Sequence, residues 1–229
     1  MGGEDSSFLS SDLLRVGSSF VCFYVLKEHE DLYLVDTGFV GGAHQLDRAL
    51  SEHGWSSLPI RGILLTHGHL DHVFNAARFA RRDGAWIAGP KADRDRYLGQ
   101  ARACGAHHFV GAMETIARKV CRFEPFTPDR WVEDGDEFPI WQGLRAVHLP
   151  GHTAGHTGYW CEAKGILFCG DLFASYGPFS HRPPGCFNVD SSEARRSVGR
   201  ALSFEPLGVH PHHCNRTSPE VHLERLKKL

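Results

Sequence analysis

Residues 66–72 read THGHLDH, three histidines and one aspartate within seven positions, at the end of the apolar run IRGILLT (60–66). A short apolar run of this kind reads as a buried strand, so the cluster sits at a strand's C-terminal end. His67 and His69, one residue apart in extended or turn backbone, can project to the same side and chelate one cation. From Asp71 the text DHVFNAARFARRDG has helical periodicity and stops at Gly84. That places Asp71 near a helix start, where a carboxylate is electrostatically favoured. Imidazole nitrogen and carboxylate oxygen together suit borderline cations such as zinc or iron(II). A chain carrying this heptapeptide must therefore fold so that a strand end and a helix start share one polar cavity.

The rest of the chain supplies a layered scaffold. SFVCFYVLKEHEDLYLVD (19–36) reads as a hairpin with a polar turn, and AHQLDRALSEH (43–53) as an amphipathic helix. AWIAG (85–89) follows the helix after the cluster as another strand, and strand, helix, strand in this order implies an α/β fold class. Residues 91–122 read as two helices broken around Gly105: a helical insertion, serving as a lid or as a contact in a homodimer. Further on, HTGYWCEAKGILFCGD predicts a hairpin with Tyr159–Cys161 facing Ile166–Cys169, and SSEARRSVGRALSF (191–204) a helix capped by Ser191 or Ser192. Three more strand ends carry polar chemistry: His152 in PGHTAGHT, Asp171 in FCGD, and the histidines of HPHHC (210–214) after the strand LGV (207–209). With 229 residues and no low-complexity linker, one domain over 1–229 is expected.

Composition narrows the partners. The chain has 25 basic and 27 acidic residues without a Lys/Arg-rich run, which argues against a nucleic-acid substrate. No apolar stretch approaches the roughly 20 residues of a membrane span, and the first residues lack a basic start and an apolar core, so no membrane association and a cytoplasmic location are expected. Seven cysteines without a C-x-x-C pair fit reduced thiols. No G-x-S-x-G elbow offers a serine nucleophile.

The ordered set LVDTG, THGHLDH, PGHTAGHT, GD and a late histidine, spanning roughly residues 19–214, resembles the metallo-β-lactamase superfamily. The resemblance implies a four-layer αβ/βα sandwich with the metals at the edge between two sheets. It also implies His67, His69 and His152 as one metal site, and Asp71, His72 and a late histidine as a second. Asp171 would bridge the two ions, and Asp36 would support them from behind. Aligning the prolines selects His213 as the late ligand, with His210 and His212 as alternatives. Among the other histidines, His156 is expected to order its turn, His148 to pack, His29, His44, His53 and His222 to lie on the surface, and His107 and His108 to fall in the insertion.

Two zinc ions sharing a carboxylate lower the pKa of a bound water toward neutrality. The expected activity is thus hydrolysis of an ester, thioester or lactone of a small molecule, with Asp71 also orienting the nucleophile or shuttling its proton. The GD pair at Asp171 resembles the glyoxalase II-like and lactonase branches and speaks against a β-lactamase; phosphodiesterase and ribonuclease activities rank lower still. Only 16 residues follow His213, so the helical glutathione-binding domain of glyoxalase II is not expected. Tyr176, His181 and Arg182, in the loop after Asp171, are the expected substrate contacts. The alternative of a different class is a persulfide dioxygenase holding one iron(II) on His67 or His69, His152 and Asp171.

Overall fold

The computed structural model describes residues 6–100 and 108–229. It begins with β1 (Ser6–Ser10), β2 (Leu13–Gly17), β3 (Cys22–Glu28), β4 (Asp31–Val35) and α1 (Gly42–Glu52). Then come β5 (Ile60–Leu64), the short α2 (Leu70–Val73), α3 (Ala76–Asp83), β6 (Trp86–Pro90), α4 (Arg94–Tyr97), α5 (His108–Val120) and β7 (Arg130–Val132). The second half holds β8 (Glu137–Phe138), β9 (Leu144–His148), β10 (Thr157–Cys161), β11 (Ile166–Ser175), α6 (Ser191–Leu202), β12 (Gly208–Cys214) and α7 (Pro219–Leu226).

Strands β1 to β7 form one sheet in sequence order, antiparallel up to β4 and parallel from β4 to β7. The other sheet runs β12-β11-β10-β9-β8, with the β11–β12 pair parallel. Strand alternation explains the layers, because successive side chains point to opposite faces. On β3, Phe23 and Val25 pack with Leu46 of α1 and Phe79 of α3, whereas Cys22, Tyr24 and Leu26 face Tyr159 and Phe168 of the other sheet. On β11, Phe168 joins that inter-sheet core while Leu167 and Cys169 pack outward with Val198 of α6 and Leu223 of α7. Helix, sheet, sheet, helix is the four-layer α/β sandwich expected.

The expected hairpins form, with Glu28 opposite Asp31 and Cys161 opposite Ile166. Several local expectations are corrected. HPHHC does not follow the last strand but lies within β12, and Asp171 lies inside β11, next to an irregularity in its register with β12. Asp190 caps α6, accepting from the backbone of Ser192 and Glu193, because its short carboxylate reaches both free N–H groups. His222 is buried under β11 and bonded to Ser175 Oγ at 2.7 Å rather than exposed. The break expected around Gly105, together with His107, lies outside the described residues.

Candidate metal centre

His67 and His69 leave β5 on a turn, Asp71 and His72 open α2, His152 sits in the turn after β9, Asp171 lies on β11 and His213 on β12. The fold collects these seven side chains into two adjacent donor sets. In one, ligand atoms of His67, His69, His152 and Asp171 all lie within 4.8 Å of one another; in the other, those of Asp71, His72 and His213 do. Asp171 reaches both: its Oδ2 is 3.4 Å from His152 Nε2 and 3.1 Å from His213 Nε2, and its Oδ1 is 3.2 Å from His72 Nε2. Asp71 Oδ2 lies 3.5 Å from His213 Nε2.

The imidazoles are aimed by partners behind them. Asp36, fully buried at the end of β4 with φ of 63°, accepts from His72 Nδ1 at 2.8 Å, from Thr66 N at 2.7 Å and from Thr66 Oγ1 at 2.7 Å. A non-glycine residue at positive φ is strained, and here the strain delivers a carboxylate to the back of the cluster. The Thr66 hydroxyl, donating to Asp36, accepts from His67 Nδ1 at 2.9 Å. His152 Nδ1 donates to Asn188 Oδ1 at 3.2 Å, and His213 Nδ1 to the carbonyl of Phe20. Each of these histidines therefore parks its Nδ1 proton on protein and turns Nε2 into the cavity, the usual outer-sphere device of metal-binding histidines. His69 instead presents Nδ1, 3.1 Å from His67 Nε2. His156 Nδ1 donates to Leu149 O, and its Nε2 accepts from the backbone N–H of Asp171 at 3.0 Å, so it holds the turn and stands outside both sets.

Electrostatics follow from burial. Burial pushes the His67 and His69 imidazoles well below their ordinary range, with neighbouring imidazoles adding to it, so both stand as neutral donors. Burial would lower His72 too, but the carboxylates of Asp171, Asp71 and Asp36 outweigh it and lift it to about 10. Burial would raise Asp171, yet His213 and His72 hold it well below the carboxylate range. His72 Nε2, His152 Nε2 and Asp171 Oδ1 are buried without a hydrogen-bond partner. Orphaned polar atoms converging on one cavity are costly unless a cation satisfies them; the residues present fit two divalent ions.

Residues 17–211 match the family described as the metallo-beta-lactamase superfamily. The chain belongs to it. It falls with the glyoxalase II-like branch: the hydroxyacylglutathione hydrolase GloC of Haemophilus influenzae is 30% identical over 163 residues, 68% of each chain. A hydroxyacylglutathione hydrolase of Aeromonas hydrophila is 34% identical over 123 residues, 52% of this chain and 36% of that protein. Several of these relatives are thus much longer than their matched part. Among solved structures, the subclass B3 metallo-beta-lactamase BJP-1 of Bradyrhizobium japonicum superposes with a TM-score of 0.71 at 19% identity, covering 98% of this chain and 90% of that one. At that identity the likeness concerns the fold. Family and clustered donors together place the chain among metal-dependent hydrolases of the metallo-β-lactamase fold.

Of the late histidines, only His213 enters a donor set. His212 is buried against Asp36, its Nε2 3.2 Å from Oδ2, and His210 lies buried between Tyr24 and Phe168. The expected substrate contacts lie on the loop after β11. Tyr176 Oη donates to Ser19 O at 2.9 Å, bracing the loop whose Phe20 carbonyl holds His213. His181 Nδ1 is bonded to Arg182 O. His181 and Arg182 line an open cavity of about 360 Å³ with Asn188, the residue that aims His152. Thr66 and Asn188 were not among the residues expected from sequence, since a lone hydroxyl or amide carries no spacing signal.

Proposed function

We propose that this chain is a dinuclear zinc hydrolase that opens an ester, thioester or lactone bond of a small molecule. The observation that carries this is Asp171, a buried carboxylate that stands between two donor sets and reaches both. His67, His69 and His152 would hold one ion, and Asp71, His72 and His213 the other, with Asp171 shared. When bound, two such ions lower the pKa of a water and polarise an acyl oxygen. Asp71, the more open carboxylate of the site, would orient the attacking water and take its proton. Phe20, 69% exposed beside His213, would offer the acyl chain an apolar wall. Tyr176, His181 and Arg182 are assigned to the leaving group and any carboxylate it carries, Arg182 by paired N–H donors. The names of the relatives favour a thioester over an ester or lactone, and S-acylglutathiones are the first substrates to try.

The test is metal quantification on protein purified without chelators, followed by turnover of acylglutathiones, other thioesters and lactones. Two zinc per chain with turnover of one of these is the expected result. One iron per chain, with oxygen consumption on a persulfide, would overturn it.

A further inference from the structure

Asp93 begins the segment 91–122 and is 3% exposed, a buried carboxylate that the proposed chemistry does not use. Its Oδ2 accepts from Gly68 N at 2.7 Å and from Thr153 Oγ1 at 2.7 Å, and its Oδ1 accepts from Gly155 N at 3.0 Å. Gly68 stands between His67 and His69, and Thr153 follows His152. One side chain thus grips the two turns that present the three histidines, at positions adjacent to each of them.

We infer that Asp93 is the positioning residue of the three-histidine set, fixing the His67–His69 turn against the His152 turn so that they present one preformed metal site. This rests on the metal centre proposed above. Burial of a carboxylate is costly unless its oxygens are bonded, and here both are bonded into these two turns. The turns are shaped to admit it. A Cβ on Gly68 would lie 2.6 Å from Arg96 Cβ and 3.2 Å from Asp93 Cβ, and a Cβ on Gly155 would lie 2.9 Å from Asp93 Oδ1. The same segment grips the first turn from outside as well: Arg118 donates to Gly68 O at 2.8 Å, and Glu114 accepts from Leu70 N at 3.2 Å. His72 is held by Asp36 and His213 by the Phe20 carbonyl, apart from the bonds of Asp93. The effect of Asp93 is therefore selective for one ion.

The experiment titrates zinc into chelator-stripped full-length protein by calorimetry, for wild type, Asp93→Ala, Asp93→Asn and Thr153→Val. The binding class lost in His152→Ala marks the three-histidine site. Asp93→Ala weakens that class about 10–100-fold, the range of outer-sphere losses, and leaves the other class within about threefold. Asp93→Asn and Thr153→Val, which retain part of the network, give smaller losses in the same class. Unchanged affinity in that class, or equal weakening of both classes together with a lowered melting temperature of the stripped protein, overturns the inference. Should Asp93→Ala fail to fold, wild-type binding in both milder variants overturns it. A wild-type chain that binds no zinc overturns the metal centre and this inference together, whereas two intact classes with unaffected Asp93 variants overturn this inference alone.

Discussion

Asp171 is the side chain on which the site turns, because its two oxygens reach His152 of one donor set and His72 and His213 of the other. Asp171→Ala is expected to lose more metal affinity than the about 10–100-fold typical of an outer-sphere partner, and to lose turnover with it; metal content after gel filtration and kcat measure both. His213→Ala is expected to keep the three-histidine ion and lose the other, so one zinc per chain supports the assignment and two retained zinc would sink it. Two buried histidines outside the donor sets bear on pH. Burial pushes both His156 and His210 down to about 3. Both are lowered on folding from an ordinary value near 6.5, so their contribution to stability is complete above about pH 6.5 and is lost as pH falls toward 3. Each contributes a slope of up to about 1.4 kcal/mol per pH unit in that window. His210 stacks on Phe168 with ring centroids 5.3 Å apart, so His210→Phe preserves the packing and should move the acid-unfolding midpoint to lower pH. An unmoved midpoint in a circular-dichroism titration would show that His210 does not charge on unfolding.

Among the elements, α6 and the segment 91–122 hold the centre from outside. Asp190 bonds the Ser192 and Glu193 N–H groups at 2.8 and 2.9 Å, and it lies two residues beyond Asn188, which aims His152. Asp190→Ala is expected to remove this cap and lower the denaturation midpoint at unchanged urea slope. The segment 91–122, expected as a lid or a dimer contact, carries three polar residues that hold a histidine-bearing loop. Asp93, Glu114 and Arg118 all contact residues 68–70. Among the described residues, no helix is long and apolar enough to cross a membrane.

At the scale of the molecule, the two sheets meet at the metal centre. The first sheet carries His67, His69, Asp71 and His72 on the loop and helix after β5, and the second carries His152, Asp171 and His213. Ions bound there cross-link the halves of the sandwich, and metal binding becomes folding free energy. Zinc at 100 times its dissociation constant should stabilise the chain by about 2.7 kcal/mol per site, visible as a chelator-reversible rise in melting temperature. The inter-sheet core is the other link. Phe168, fully buried between Tyr24 and Trp141, should cost about 3–5 kcal/mol on replacement by alanine, which guanidinium unfolding of the stripped protein measures.

The sequence by itself singled out the candidate donors that lie close together in the chain. THGHLDH, PGHTAGHT and GD each place their polar side chains within a few residues of a strand end, and strand periodicity is a local property of the text. The layer order was legible for the same reason, since alternation on β3 and β11 assigns each residue to a face. The proline alignment selected His213, but what separates it from His210 and His212 is tertiary. Three histidines in HPHHC are chemically equal, and only the register of β12 against β11 turns His213 toward Asp171, His212 toward Asp36 and His210 into the aromatic core. His222 was misjudged because burial depends on what packs above a helix, not on its own periodicity. Thr66, Asn188 and Asp93 were invisible because their roles are defined by partners distant in sequence. A ligand's type is written in its residue, but its aim is set by hydrogen bonds across the fold, and these exist only once the chain has closed.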